Sequence, residues 1–330
     1  MITNTNKLTY FRLSVLSEYR TQLMGIAAIL ILICHANGNG VEMPAILKRL
    51  FTFGNYGVDI FLLLSGMGMY HSLEKAQTIN QSIGSWYKRR FIRILVPYTL
   101  IALPYWLYVS IADNSSFVGF IENFSTLSFW TKHQGAWYVA LIIPLYLLSP
   151  TIYRLCRKNV GIATMLFIIA ALTILPFISL PNNAIINNIV FALSKSPCFF
   201  VGFLTGILIK RNYKIKNLYI IVLCIITCIL YKLGDIQGVA IYWILTLPII
   251  YISTIFINFA KRIAIFNSTL VLMGTISLES YLTNIYLGDI LSTLWVGSKL
   301  LAYGIIIIIG ITTSIIISKL SQKIIALPQN

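Results

Sequence analysis

The 330 residues of the chain are 58% hydrophobic and 10% charged, and the mean hydropathy is +0.84. This composition excludes an ordinary soluble domain and is typical of polytopic membrane proteins. The formal net charge of +16 needs no nucleic-acid partner, because a basic cytoplasmic face meets anionic lipid headgroups.

Ten apolar stretches follow one another along the chain, separated by short polar connections. Most approach the ~20 residues that a helix needs to cross the hydrocarbon of a bilayer. Lipid offers no partners for unpaired backbone groups, so these stretches must be helical. The predicted fold is therefore all-α, a single domain over residues 1–330 with about ten transmembrane helices. The predicted spans are 23–39, 55–73, 93–112, 136–153, 161–180, 189–209, 217–233, 238–259, 269–289 and 299–319.

The first span is short, because its uninterrupted apolar core runs only from Met24 to Cys34. On length alone, a re-entrant or interfacial segment is the alternative to a crossing helix.

Basic residues are distributed unevenly over the connections. When the amino terminus is assigned to the cytoplasm, most of the 25 Lys and Arg residues fall on the cytoplasmic side. This positive-inside bias predicts that both termini, including the segment 1–22, are cytoplasmic. We therefore expect a multi-pass protein of a bacterial plasma or inner membrane, in contact with membrane lipids.

Polar residues inside apolar spans are costly and usually functional. His35 follows Met24 by eleven residues, which is ~16 Å along a helix axis and places it in the outer half of the membrane. Asp59, near the outer start of the second span, lies at a similar depth. A carboxylate that accepts the hydrogen bond of one imidazole nitrogen leaves the other as a general base. A structural contact between helices is the alternative.

The sequence contains no HExxH motif, no CxxC pair and no carboxylate cluster at metal-ligand spacing. Neither a metal site nor a disulfide framework is predicted.

Five motifs occur in an order that resembles the acyltransferase 3 family. These integral membrane enzymes move an acyl group, commonly acetyl, from a cytoplasmic coenzyme A thioester to hydroxyls of cell-surface glycans. The motifs are LMGIAAILILICHA, which ends in the family's functional histidine, GVDIFLLLSGMGMY, WYKRRFIRILVPY, GAWYVALIIPLYLLSP and GTISLESYLTNIY.

The resemblance favours a donor site at the cytoplasmic side. Arg90 and Arg93 are three residues apart, so they share a helix face, and we expect them to clamp the phosphates of coenzyme A rather than only set topology. Ser65, with its neighbouring glycines, is expected to allow close approach of the pantetheine arm. Packing between helices is the alternative for these small residues.

The chain departs from the family pattern at three positions. Many members carry an arginine where this chain has Met24, and Arg20 one turn earlier is predicted to replace it, an ordinary topological charge being the alternative. Lys195 stands where relatives tend to have arginine, which keeps the charge but loses the planar fork. Asn284 stands where a late histidine is common.

The outer side is predicted to bind the acceptor. Trp137 and Tyr138 begin the fourth span after the longest external connection, 113–135, and are suited to stacking on a sugar ring, an interfacial aromatic belt being the alternative. Tyr281 and Asn284 share a helix stripe and are further candidates for substrate binding.

Glu279 completes the predicted catalytic set of His35, Asp59 and Glu279, because a carboxylate near mid-membrane is expensive without a role. Glu279 is expected on a different helix face from the stripe of Ser277, Tyr281 and Asn284, so the four residues are not assigned to a single contact.

The predicted function is transfer of an acyl group, with acetyl the expected one, from acyl-coenzyme A to a hydroxyl of a cell-surface or lipid-linked polysaccharide. His35 is the expected base, and a route through an acyl-enzyme on Ser65 or His35 remains open. Acetyl-coenzyme A is a substrate, and no permanently bound cofactor is expected.

The alternative is a transporter or flippase of a glycan or lipid-linked intermediate, in which the buried polar groups are proton relays, although no inverted repeat is evident. A non-catalytic scaffold is a third possibility.

Overall fold

The computed structural model describes residues 10–158, 161–233, 242–294 and 297–326, which fold almost entirely into helices. Residues 1–9 of the predicted amino-terminal segment and 238–241 of the eighth predicted span lie outside the described residues. In chain order the helices are α1 (Val15–Glu18), α2 (Arg20–Gly38), α3 (Ala45–Thr52), α4 (Tyr56–Thr78), α5 (Ile83–Ala112), α6 (Phe117–Phe124), α7 (Leu127–Lys132), α8 (Trp137–Cys156), α9 (Gly161–Ile174), α10 (Ala184–Lys195), α11 (Pro197–Lys210), α12 (Asn217–Leu233), α13 (Tyr242–Ala260), α14 (Ala264–Thr275), α15 (Ser277–Leu294) and α16 (Lys299–Ala326), with short 3₁₀ turns at Phe53–Asn55 and Leu175–Phe177.

Each predicted span falls largely on helix, but their lengths differ. Within the described ranges, seven helical stretches are long and apolar enough to cross a membrane. Three apolar helices are shorter than the ~20 residues of a full crossing. The chain is thus an all-α polytopic membrane protein, while ten crossings and the side of each terminus remain predictions. The long stretches are Arg20–Gly38, Ala45–Thr78, Ile83–Ala112, Trp137–Cys156, Ala184–Lys210, Trp243–Ala260 and Lys299–Ala326, and the shorter helices are Gly161–Phe177, Asn217–Thr227 and Ala264–Thr275.

The ninth predicted span, 269–289, is not one continuous helix. The backbone leaves the helical conformation at Ile276, where φ is −101° and ψ is 18°, so α14 ends at Thr275 and α15 begins at Ser277. Non-helical backbone at membrane depth is tolerated where protein encloses it or where it borders a polar cavity.

Helix α4 lies inside the bundle, where it packs against α2, α8, α11 and α13. Every residue from Tyr56 to Met67 is buried. The sequence of this helix is apolar on nearly all sides, which is the pattern of an enclosed helix. Any polar side chain between Tyr56 and Met67 must therefore find its partner inside the protein.

Glycines allow α4 to approach its neighbours closely. A Cβ atom on Gly66 would lie 2.0 Å from the carbonyl oxygen of Phe199 on α11, and one on Gly57 would lie 2.4 Å from that of Ala27 on α2. No side chain fits at these distances, so the packing interpretation is confirmed for Gly57 and Gly66.

We expect Gly66→Ala to destabilise the protein, because the added methyl group forces α4 and α11 apart. Overpacking of this kind costs roughly 1–3 kcal/mol. The thermal unfolding midpoint of the detergent-purified protein measures the loss. Gly304→Ala is the matched control, since a Cβ there would meet no atom within 4 Å. A Gly66→Ala midpoint equal to that of the control would contradict the close packing.

A two-stranded antiparallel ribbon joins β1 (Tyr10–Arg12) to β2 (Lys214–Lys216), with Tyr10 opposite Lys216. The hydropathy pattern predicts no strand, and this ribbon is a small addition to the otherwise all-α fold. Both strands belong to connections that the charge pattern assigns to the cytoplasm. Their pairing therefore brings together segments that were predicted to lie on the same side.

Candidate active site

A cavity of about 530 Å³ lies between α2, α4, α5, α8, α14, α15 and α16. Its walls include the start of α2, the first turns of α5 and the end of α16, which are all assigned to the cytoplasmic side by the charge pattern. Seven of the predicted site residues line it, namely Arg20, Ser65, Arg90, Arg93, Tyr138, Glu279 and Tyr281.

Three arginines give this cavity its positive charge. Arg20 comes from α2, whereas Arg90 and Arg93 come from α5, so the cations meet from two different helices. Gly68 makes room for Arg20, because a Cβ there would lie 3.2 Å from a terminal guanidinium nitrogen. The salt bridges found in the described part of the chain involve lysines, which leaves these guanidinium groups available to an anionic ligand.

Arg90 is held in place by the protein. Its Nε donates a hydrogen bond of 3.0 Å to the Ser72 hydroxyl, which also accepts a bond of 2.7 Å from the indole of Trp86. The terminal nitrogens of Arg90 remain for another acceptor. A guanidinium fixed through Nε is preorganised for bidentate binding of a phosphate.

The geometry behind the predicted replacement at Met24 is confirmed, since Arg20 and Met24 both line the cavity. The two residues are one turn apart on α2 and share a face. The role of Arg20 in binding stays a prediction.

Neutral polar groups form the inner end of the cavity. The hydroxyl groups of Ser65 and Tyr138 lie 3.3 Å apart, and the backbone N–H of Tyr138 donates to the Tyr281 hydroxyl at 3.2 Å. The ring of Phe61 lies 6.0 Å from that of Tyr138. Ser65, Tyr138 and Tyr281 therefore form a neutral, hydrogen-bonded part of the cavity wall.

The predicted aromatic pair at the start of α8 is divided between two environments. Tyr138 lines the cavity, whereas Trp137 packs edge-on against Phe191 at a ring distance of 5.2 Å. Neighbouring residues on a helix point in directions about 100° apart, so both rings do not face one ligand. An acceptor role stays a prediction for Trp137.

Glu279 borders the same cavity as Ser277 and Tyr281. All three residues belong to α15, so Glu279 lies on a different helix face from Ser277 and Tyr281, as expected. The first turn of α15 therefore meets the cavity from more than one side.

His35 lies outside the cavity lining, near the other end of α2. Its Nδ1 is hydrogen-bonded to the side-chain oxygen of Asn284 on α15. The amide nitrogen of Asn284 donates to the Tyr303 hydroxyl at 3.3 Å, and that hydroxyl donates to the carbonyl oxygen of Leu32. Asn284, predicted to bind substrate, is therefore a partner of the histidine.

The predicted pairing of His35 with Asp59 is wrong. Asp59 accepts a hydrogen bond of 3.4 Å from Lys195, and the side chains of Asp59 and Lys195 are only 0% and 12% exposed. Depth along a helix does not determine which way a side chain faces. Lys195 was not predicted as the partner of Asp59, although an ammonium group inside a span requires a carboxylate nearby.

One helix links the cavity to the partner of His35. Tyr281 lines the cavity and Asn284 contacts His35, and these two residues of α15 are three positions apart, about 4.5 Å along the helix axis.

The fold and the site define a class, a polytopic membrane protein with a basic cavity and a half-buried histidine whose partner, Asn284, lies on a helix that also lines the cavity. Residues 22–319 match the family model described as the acyltransferase domain, so the chain belongs to the acyltransferase 3 family that its motifs resemble. The protein is a membrane acyltransferase. No curated protein and no solved structure shows a significant match to it.

Proposed function

We propose that the protein transfers an acetyl group from cytoplasmic acetyl-coenzyme A to a hydroxyl of a cell-surface or lipid-linked polysaccharide, in a bacterial plasma or inner membrane. The observation that carries the proposal is the cavity with three arginines, whose lining residue Tyr281 lies about one turn along α15 from Asn284, the partner of His35. Family membership favours this reaction over the transporter alternative, because the family consists of acyltransferases.

The cavity suits the donor from one end to the other. Coenzyme A is anionic at its nucleotide end and carries its thioester on a thin, neutral pantetheine arm. Arg20, Arg90 and Arg93 would bind the phosphates, and Ser65 and Tyr138 would meet the neutral arm at the inner end. The thioester then lies nearest to His35. The acetyl group is supported by the resemblance.

The chemistry needs one proton acceptor beside the thioester. His35 removes the proton of the acceptor hydroxyl as its oxygen attacks the thioester carbonyl. The new C–O ester bond forms, the C–S bond breaks, and the coenzyme A thiolate leaves and can take the proton from the imidazolium. A direct transfer requires no acyl-enzyme on Ser65 or on His35 itself. Glu279 is retained as a candidate in the cavity wall.

Donor binding and transfer test this proposal separately. The purified protein is expected to bind acetyl-coenzyme A more tightly than acetyl-pantetheine, which lacks the phosphates that the arginines would hold. Isothermal titration measures both affinities, and radiolabelled acetyl-coenzyme A with membranes from the source cells measures transfer to glycan. Equal affinities for the two thioesters would contradict the phosphate site.

Arg20→Gln should weaken acetyl-coenzyme A binding about tenfold, the usual loss for one charge-assisted hydrogen bond of ~1.5 kcal/mol. Adding Met24→Arg should restore part of the affinity, because position 24 lines the same cavity. Titration of both variants measures the effect. Arg12→Gln is the control, since it removes an exposed basic residue from the same predicted side. An Arg20→Gln protein that binds like this control would show that Arg20 is a topological charge.

A further inference from the structure

A chain of hydrogen bonds joins three helices beside the proposed base. It runs from the carbonyl oxygen of Leu32 on α2 to the Tyr303 hydroxyl on α16, then to the Asn284 side chain on α15, and ends at Nδ1 of His35 on α2. Asn284 and Tyr303 are only 2% and 4% exposed. Buried polar groups of this kind need every hydrogen bond satisfied.

The first member of the chain determines the direction of the others. A backbone carbonyl can only accept, so the single hydroxyl proton of Tyr303 is donated to Leu32. The Tyr303 oxygen must then accept from Asn284, and the only donor on that side chain is the NH₂ group. The amide oxygen of Asn284 therefore faces His35.

The direction of the chain assigns the proton on the imidazole. An amide oxygen can only accept, so Nδ1 of His35 must be the donor of the bond to Asn284. In the neutral ring, Nε2 then carries the free lone pair. Rotating the Asn284 amide by 180° would place its NH₂ group against Nδ1–H, so that two donors would face each other. It would also place the amide oxygen against the Tyr303 oxygen, whose proton is already donated to Leu32, so that two acceptors would face each other.

We propose that Asn284 and Tyr303 are positioning residues that hold His35 in its Nδ1–H tautomer, with Nε2 as the proton acceptor. Asn284 orients the ring directly, and Tyr303 acts through Asn284 by fixing the orientation of the amide. The inference rests on the proposed role of His35 as the base. A partner that fixes the tautomer of a functional histidine is a common requirement of such sites.

The tautomer can be measured without any activity. The chain has three histidines, so a His71→Gln, His133→Gln double variant labelled with ¹⁵N-histidine reports on His35 alone. Solid-state NMR at a pH where the ring is neutral is expected to show a protonated Nδ1 and an unprotonated Nε2. Adding Tyr303→Phe should give a mixture of tautomers. A protonated Nε2 in the starting protein would overturn the inference.

A double-mutant cycle tests the division of roles between the two residues. Tyr303→Phe should lower kcat about tenfold while changing the KM for acetyl-coenzyme A less than about twofold. In a chain that already carries Asn284→Asp, the same substitution should change kcat less than about twofold. The two oxygens of a carboxylate are equivalent acceptors, so its orientation no longer needs fixing.

The controls separate a positioning role from a loss of packing. Tyr286→Phe also removes a buried hydroxyl near α5, but that hydroxyl lies outside this chain of hydrogen bonds, so kcat should change little. Equal losses from Tyr303→Phe in both backgrounds would show a merely structural role and overturn the inference. A wild-type protein that transfers no acetyl group would overturn the proposed function instead, and the NMR measurement would still decide the tautomer.

Discussion

His35→Ala should lower acetyl transfer by roughly 10² or more, the usual contribution of a positioned proton acceptor. Donor binding should stay close to that of the wild type, because His35 is not among the residues that line the basic cavity. The rate of transfer from radiolabelled acetyl-coenzyme A and the affinity from titration measure the two effects on one preparation. A selective loss of rate is the signature of a residue that acts on the reacting atoms.

The alanine variant leaves the oxygen of Asn284 without its donor, which costs stability in addition to activity. His35→Gln serves as a second variant, because its amide can donate to the same oxygen but is not a base. Both variants should lose the same activity. His133→Ala is the matched control, since His133 is an exposed histidine of the predicted external connection. Transfer by His35→Gln at the level of this control would refute the role of His35.

The sequence predicted the helices and the basic cluster well, because both follow from local rules. Apolar length requires helix at each predicted span, and the helical period places Arg90 beside Arg93 and Arg20 beside Met24. All four residues line one cavity in the structure. The five motifs identified the family, because hydropathy and helical spacing alone do not distinguish one class of polytopic membrane protein from another.

Partners across helices could not be predicted in the same way. His35 and Asp59 were matched by depth, yet His35 is bound to Asn284 and Asp59 to Lys195. Depth follows from counting residues along one helix, whereas the direction of a side chain depends on which helices pack together. That packing depends on close contacts such as the one between Gly66 and α11, which no single segment reveals.

The break at Ile276 was missed for a related reason. Hydropathy is continuous over 269–289, so the pattern predicted one uninterrupted helix. The only local signal is Gly274, and a Cβ there would lie 1.9 Å from the carbonyl oxygen of Thr21 on α2. Tertiary packing at the end of α14 therefore accompanies the break.

Replacing both Arg90 and Arg93 with lysine should raise the KM for acetyl-coenzyme A about tenfold or more, because each bidentate, charge-assisted contact contributes ~1.5–3 kcal/mol. Lysine keeps the positive charge, so membrane insertion should be unaffected. It loses the planar fork, and at position 90 it also loses the Nε bond to Ser72 that orients the guanidinium. The maximal rate should change much less than KM, since these residues are proposed to bind the phosphates, far from the thioester.

Arg89→Lys is the matched control for this prediction. Arg89 immediately precedes Arg90 in the sequence, but it is exposed and its guanidinium donates to Gln81 instead of lining the cavity. The control variant should keep the wild-type KM, whereas the double variant should bind acetyl-coenzyme A little better than acetyl-pantetheine. Saturation kinetics with both thioesters separates the phosphate contribution from the rest of the donor. If the double lysine variant and Arg89→Lys showed the same KM, Arg90 and Arg93 would serve topology alone, and the phosphates would have to bind elsewhere.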